Sequence, residues 1–187
     1  FNHAEKLHVF IEELLKESNY AFRSLDGICV SKGPGSYTGL RIGVSAAKGL
    51  AYTLDVPLLS VNTLEVLARQ LNVDTGTIIP MIDARRMEVF TAHFDSDYSM
   101  IKDTYALVLE TDSFNSVEGK LHFIGDGAAK AKEIYTEERF VFHDAIVFPS
   151  SQEMVAVGYH KFLNKEFEDV AYFEPFYLKD FMLTTKK

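Results

Sequence analysis

A helix with one side stripped of bulk constrains this chain most. Positions 39, 43, 47 and 51 are Gly, Gly, Ala and Ala, within a segment that reads as helical from Tyr37 or Thr38 to Leu54. Four-residue spacing puts them on one face, and Leu40, Val44 and Leu50 flank them with apolar area. A glycine inside a helix costs up to about 1 kcal/mol relative to alanine. Glycines at 39, 43 and 49 therefore need an offsetting close contact. Two contacts meet that need: packing onto the parent sheet within the chain, or docking of another subunit. The spacing alone does not choose between them.

The helix follows a short buried strand, Gly27-Ile28-Cys29-Val30, and a turn-rich loop, Ser31-Lys32-Gly33-Pro34-Gly35-Ser36. N–H groups at a helix start can hold an anion. The loop lacks both the Walker spacing and G-x-G-x-x-G, so the favoured reading is a strained turn that uses glycine for positive φ. Around this unit helical and strand patterns alternate, as in α/β folds. A first helix spans Ala4 to Glu17, with Leu7, Phe10, Ile11 and Leu14 as its apolar stripe. Pro57 to Val61 reads as a strand. Asn62 caps a helix that ends near Leu71, with Glu65 in the capping-box position.

A second block begins at Thr77–Ile82, with strands at Glu88–Phe94, Lys102–Val108, Leu121–Ile124 and Phe140–Phe142. A short helix follows Gly125-Asp126-Gly127. Another, capped by Ser150 or Ser151, runs from Ser151 to Leu163, and Glu174 to Leu178 form an extended aromatic tail. Asn, Asp and Gly cluster at 72–76, so the chain divides into a first lobe, 1–73, and a second, 74–187, whose tail packs back on the first.

The composition is that of a globular chain, with 47% apolar and 25% charged residues. The net charge of −8 argues against a dedicated nucleic-acid binder, but leaves room for RNA contact made jointly with a basic partner. One cysteine, Cys29, rules out intrachain disulfides and Cys-rich zinc sites and suits a reducing cytoplasm. No apolar run approaches a membrane span, and no signal peptide opens the chain. It opens Phe1-Asn2-His3 rather than with Met, which reads as a start that is missing or cut back.

Candidate chemistry is sparse. His3 and His8 are five apart, where helical metal pairs prefer four. His93, His122, His143 and His160 have no second ligand at fixed spacing, and Ser36 lacks a nucleophile elbow. Cys29 reads as a small buried hydrophobe. Asp83 and Asp126 read either as a cleft carboxylate pair or, by preference, as turn caps. Arg85-Arg86 reads as solvated surface, or as a contact to phosphate or a partner.

The segment Ser31-Lys32-Gly33-Pro34-Gly35-Ser36-Tyr37-Thr38-Gly39-Leu40-Arg41-Ile42-Gly43 closely resembles the signature of the bacterial TsaB (YeaZ) family. The resemblance continues at Ala47 to Ala51, Ser60 to Leu64, Ile82 to Arg85, Glu88 to Phe90, Gly125 to Gly127 and Glu174 to Lys179. It implies an actin, sugar-kinase and Hsp70-like (ribonuclease H-like) fold of two lobes. It also implies amino-terminal strands, absent from this chain, that would complete the first lobe's sheet. Such proteins also carry the glycoprotease-like, M22 peptidase-like label.

The resemblance implies a non-catalytic scaffold that binds a TsaD-like paralogue during formation of N6-threonylcarbamoyladenosine at position 37 of tRNA, with a TsaE-like ATPase joining through that paralogue. It further implies a homodimer when alone, a cytoplasmic location, tRNA contact only within the complex, and no catalytic, cofactor or metal residues. In the paralogue a V-N-H-L-E-x-H segment places two metal-binding histidines on a helix. The matching stretch is Val61-Asn62-Thr63-Leu64-Glu65-Val66-Leu67, with Thr63 and Leu67 at the ligand positions. Leucine has no lone pair, and a neutral threonine hydroxyl is a poor transition-metal ligand. The expected partner face comprises Leu7, Ile11, Ser36, Tyr37, Gly39, Leu40, Gly43, Val44, Ala47 and Ala51. The competing readings are a metal-dependent peptidase and an ATPase or sugar-kinase-like activity in the cleft.

Overall fold

Strands joined in parallel need a crossover between them, and the long helix supplies the first one. β1 (Ile28–Gly33) leads through the loop into α2 (Tyr37–Leu54), which returns to β2 (Leu58–Asn62). β1 and β2 pair in parallel from Ile28↔Leu58 to Gly33↔Asn62, with a bulge between Ser31 and Gly33. β1 thus extends past the sequence expectation, because Gly33 still pairs across to Asn62. The structure, a computed structural model, describes the backbone of residues 3–179 and side chains from Lys6 onward. Phe1, Asn2 and the His3 side chain lie outside the described residues.

The second sheet is mixed. β3 (Thr77–Asp83), β4 (Glu88–Phe94) and β5 (Met100–Val108) form an antiparallel meander, while β6 (Leu121–Ile124) and β7 (Phe140–Phe142) join β3 in parallel. The spatial order is β5-β4-β3-β6-β7. β3 is central and buried without a break from Thr77 to Met81, as a strand covered on both faces must be. On one face Ile79, Met81 and Phe123 pack with Phe114, Tyr135 and α4 (Ala128–Lys132). On the other, Ile78, Ala92, Phe94 and Ile124 receive Leu64, Leu67, Ala68 and Leu71 from and just beyond α3 (Thr63–Ala68). α3 ends before Leu71 because its last turn tightens, with Leu71 N–H donating to the Ala68 carbonyl at 3.1 Å. This is the α/β architecture the ribonuclease H-like reading implies.

α2 covers one face of β1–β2, burying Ala47 and Ala51 against Leu58. α5 (Ser151–Leu163) covers the other, with Val157 against Val61 and Val66. A Cβ on Gly158 would sit 3.0 Å from Cys29 Sγ. The chain beyond α5 stays with this sheet: Lys48 Nζ donates to the Ala171 and Phe173 carbonyls at 3.1 and 2.9 Å. Phe176 N–H donates to Lys32 O at 2.7 Å, and the Tyr177 ring lies 5.0 Å from that of Tyr37. Segment 74–187 therefore gives α5 and the tail to the β1–β2 layer. Among the described residues no helix is long and apolar enough to cross a membrane.

α1 (His3–Glu17) leaves much of its apolar stripe in the open. Of Leu7, Phe10, Ile11 and Leu14, Phe10 and Leu14 are 57% and 63% exposed. Only Leu7 and Ile11 are half-buried. The helix packs chiefly along α2, and one neighbouring helix cannot cover a stripe that wide.

His93 of β4 is buried, its Nε2 2.8 Å from the Tyr105 hydroxyl. Burial, aided by the Lys102 charge, pushes its pKa down from 6.5 to about 4. Between those values the unfolded chain binds the proton and the folded one does not. Stability therefore falls as pH drops through that window, by up to about 3 kcal/mol for this group. Denaturant midpoints at pH 7 and pH 4.5 should differ by less in His93→Leu than in the wild type. An equal difference in both would show that His93 is not the group responsible.

Candidate functional site

The loop after β1 feeds the start of α2 into a cleft between the two sheets. Gly33 has φ +114°, and a Cβ there would lie 2.8 Å from the Phe176 carbonyl oxygen, so only glycine fits. Ser36 caps α2 by accepting from Gly39 N–H at 3.3 Å. Ser31, Pro34, Gly35, Thr63 and Asp126 line a cavity of about 250 Å³. At its edge the Ser31 and Thr63 hydroxyls bond to each other at 2.6 Å.

The two positions matched to the paralogue's metal ligands are used otherwise. Leu67 is fully buried in the core beneath α3, and Thr63 is 6% exposed with its hydroxyl engaged by Ser31. A metal held at these positions does not fit: one side chain offers no lone pair and the other is a neutral hydroxyl already bonded.

Asp83 and Asp126 lie close but do not act as a pair. Asp126 Oδ1 accepts from Asp83 N–H at 2.8 Å, capping the end of β3. Asp83 Oδ1 accepts from Arg85 N–H and pairs with Lys130 Nζ at 2.7 Å. Partial burial would raise its pKa, but the Lys130 hydrogen bond, the Arg85 N–H and the two nearby cations outweigh it and leave it lowered.

The histidines also separate. His8 borders the helix groove described below, and His160 sits beside Asn164 at the end of α5. His122 Nδ1 and His143 Nε2 approach to 3.0 Å, and His122 Nε2 lies 3.1 Å from the Thr75 carbonyl. That carbonyl only accepts, so His122 donates to it from Nε2–H, and in the neutral ring Nδ1 is then the acceptor for a His143 N–H. Sequence spacing missed this pair because the parallel β6–β7 register brings it together. Burial and the neighbouring His122 lower the His143 pKa.

The second feature is a groove of about 840 Å³ beside α1 and α2, walled by Phe22, Ile42, Ala46, Gly49, Leu50 and Leu54. The expected partner face splits here. Ser36 and Gly39 are exposed, and Leu7, Ile11, Tyr37, Leu40 and Gly43 are half-buried. Val44, Ala47 and Ala51 are 3%, 6% and 1% exposed and face their own sheet, which corrects their assignment to a partner face. The cause is helical drift: each four-residue step turns a row by about 40°, so three steps turn it by roughly 120°.

Gly39 and Gly43 open outward while Ala47 and Ala51 turn home. The face sequence reasoning missed is the neighbouring row Ile42, Ala46, Leu50 and Leu54. Its signal was an apolar second side on α2, as in a helix covered on two sides.

A family model described as TsaD: tRNA N6-adenosine threonylcarbamoyltransferase matches residues 1–184. The chain is 46% identical to the tRNA threonylcarbamoyladenosine biosynthesis protein TsaB of Bacillus subtilis over 48% of this chain and 39% of that protein. It is 25% identical to TsaB of Escherichia coli over 95% of this chain and 81% of that protein. Among solved structures, YeaZ from Pseudomonas aeruginosa superposes with a TM-score of 0.82 at 22% identity, covering 95% of this chain and 84% of the other.

Proposed function

This chain belongs to the TsaD family, beside the TsaB (YeaZ) proteins, and from that premise we propose that it is the scaffold subunit that holds a TsaD-type enzyme during N6-threonylcarbamoyladenosine formation in tRNA. The carrying observation is the use made of Thr63 and Leu67: the framework of the paralogue's metal-binding helix is kept, and both ligand positions serve packing and a hydroxyl–hydroxyl bond. The chain supplies surface rather than chemistry.

That surface is the groove beside α1 and α2, continued outward by Val9, Phe10 and Leu14 of α1. An apolar stripe this exposed marks an association face, and the bare Gly39–Gly43 end of α2 admits a partner backbone. Without the enzyme, two copies pair through the same face. A TsaE-type ATPase joins through the enzyme, tRNA is met in the complex, and the work takes place in the cytoplasm.

The test mixes purified chain with a TsaD-type enzyme. Co-elution as one complex is expected, with no modified nucleoside formed by the chain alone. Separate elution, or modification by the unaided chain, overturns the proposal.

A further inference from the structure

The β3–β4 hairpin carries two arginines in an unusual setting. Arg85 and Arg86 both have positive φ, 72° and 51°. Consecutive left-handed positions in a tight hairpin favour Asn-Gly or similar, because a side chain there costs energy. Arg85 is pinned by its N–H to Asp83 Oδ1, and the turn is closed by Glu88 N–H to the Arg85 carbonyl at 3.1 Å.

Both side chains are exposed, and among the described residues neither guanidinium has a hydrogen-bond or ion-pair partner. The nearby acids are already engaged. Asp83 holds Lys130, Glu88 holds Lys179, and Asp126 caps the Asp83 backbone. Two exposed guanidinium forks, Arg85 held only by the Asp83 charge and neither hydrogen-bonded among the described residues, thus stand on a pinned turn in a chain of net charge −8.

We infer that Arg85 and Arg86 contact the phosphate backbone of RNA while the chain sits in its complex. This rests on the scaffold reading above and adds a direct RNA contact to it. The planar fork matches phosphate oxygens two at a time, which a lysine cannot do. A rigid turn lowers the cost of ordering both side chains. The rest of the acidic surface repels RNA, so this tip fixes where the strand passes and contributes no base preference. An acidic protein segment is the competing occupant.

The test uses the chain bound to a TsaD-type enzyme, with unmodified tRNA as probe and salt titrated. Arg85→Ala with Arg86→Ala should weaken tRNA binding roughly 10-fold near 0.1 M salt and reduce the slope of log affinity against log salt by about 1.5–2. Arg85→Asn with Arg86→Gly, which suits the turn better, should raise the melting temperature and still lose the same affinity. Opposed effects on fold and on RNA exclude a merely structural role. Enzyme association should be unchanged in both variants.

Unchanged tRNA affinity and salt slope overturn the inference while leaving the scaffold reading intact. Loss of enzyme association instead assigns the hairpin to a protein contact and overturns it too. A wild-type complex that fails to form, or fails to bind tRNA, overturns the scaffold reading and this inference together.

Discussion

Gly43→Leu should leave the monomer folded and weaken its association with a TsaD-type enzyme by an order of magnitude or more. A Cβ at Gly43 meets nothing within 4 Å, so the chain itself has room for the side chain. Leucine is also the better helix former by nearly 1 kcal/mol, so the melting temperature should hold or rise. A partner backbone seated on the bare end of α2 has no such room. Overpacking costs about 1–3 kcal/mol, which weakens the complex roughly 10- to 100-fold.

Ala47→Leu, one turn on, should behave in the opposite way. Ala47 is 6% exposed against the chain's own sheet, so bulk there strains the fold first. Calorimetric titration with the enzyme and thermal melts of both variants separate the two effects. Undiminished binding by Gly43→Leu would remove this face from the partner interface.

Gly125→Ala should cost the fold several kcal/mol, enough to lose most of the native population. Gly125 has φ +99°, and its Cβ would lie 2.1 Å from the Met81 carbonyl oxygen and 2.8 Å from Leu67 Cδ2. The first obstacle is backbone of the central strand, which cannot step aside. The second is a fully buried core side chain. Backbone strain and overpacking then add at one position, the combination that gives ΔΔG values beyond about 4 kcal/mol. Gly125-Asp126-Gly127 is therefore a packing junction of β3, α3 and α4. Denaturant melts decide: a variant whose midpoint stays near the wild type would mean the junction is looser than these distances state.

What the sequence revealed was local. β3 and β6 are short apolar runs bounded by turn residues, so Thr77–Ile82 and Leu121–Ile124 announced themselves, while the polar start of β5 at Met100 did not. The Asn62 cap was legible too, its side chain accepting from Leu64 N–H at 2.8 Å. What stayed hidden depends on partners distant in the chain. α2 is apolar on two sides, and only the position of β1–β2 tells which side holds Ala47 and which holds Ala46. The α1 stripe has the periodicity of a packed face, but nothing in the pattern says that its main neighbour is one helix, α2. The tail read as merely extended, yet its bonds to Lys48 span more than a hundred residues, the Ala171 contact 123 of them. The metal-site reading needed the paralogue's histidines as reference, since Thr63 and Leu67 alone look like any helix start.

The decisive measurement is the N6-threonylcarbamoyladenosine content of tRNA, by nucleoside mass spectrometry, in cells deprived of this chain. The modification should fall, return with the wild-type chain, and fail to return with Gly43→Leu. Full modification without the chain would contradict its role as the scaffold on which the enzyme works.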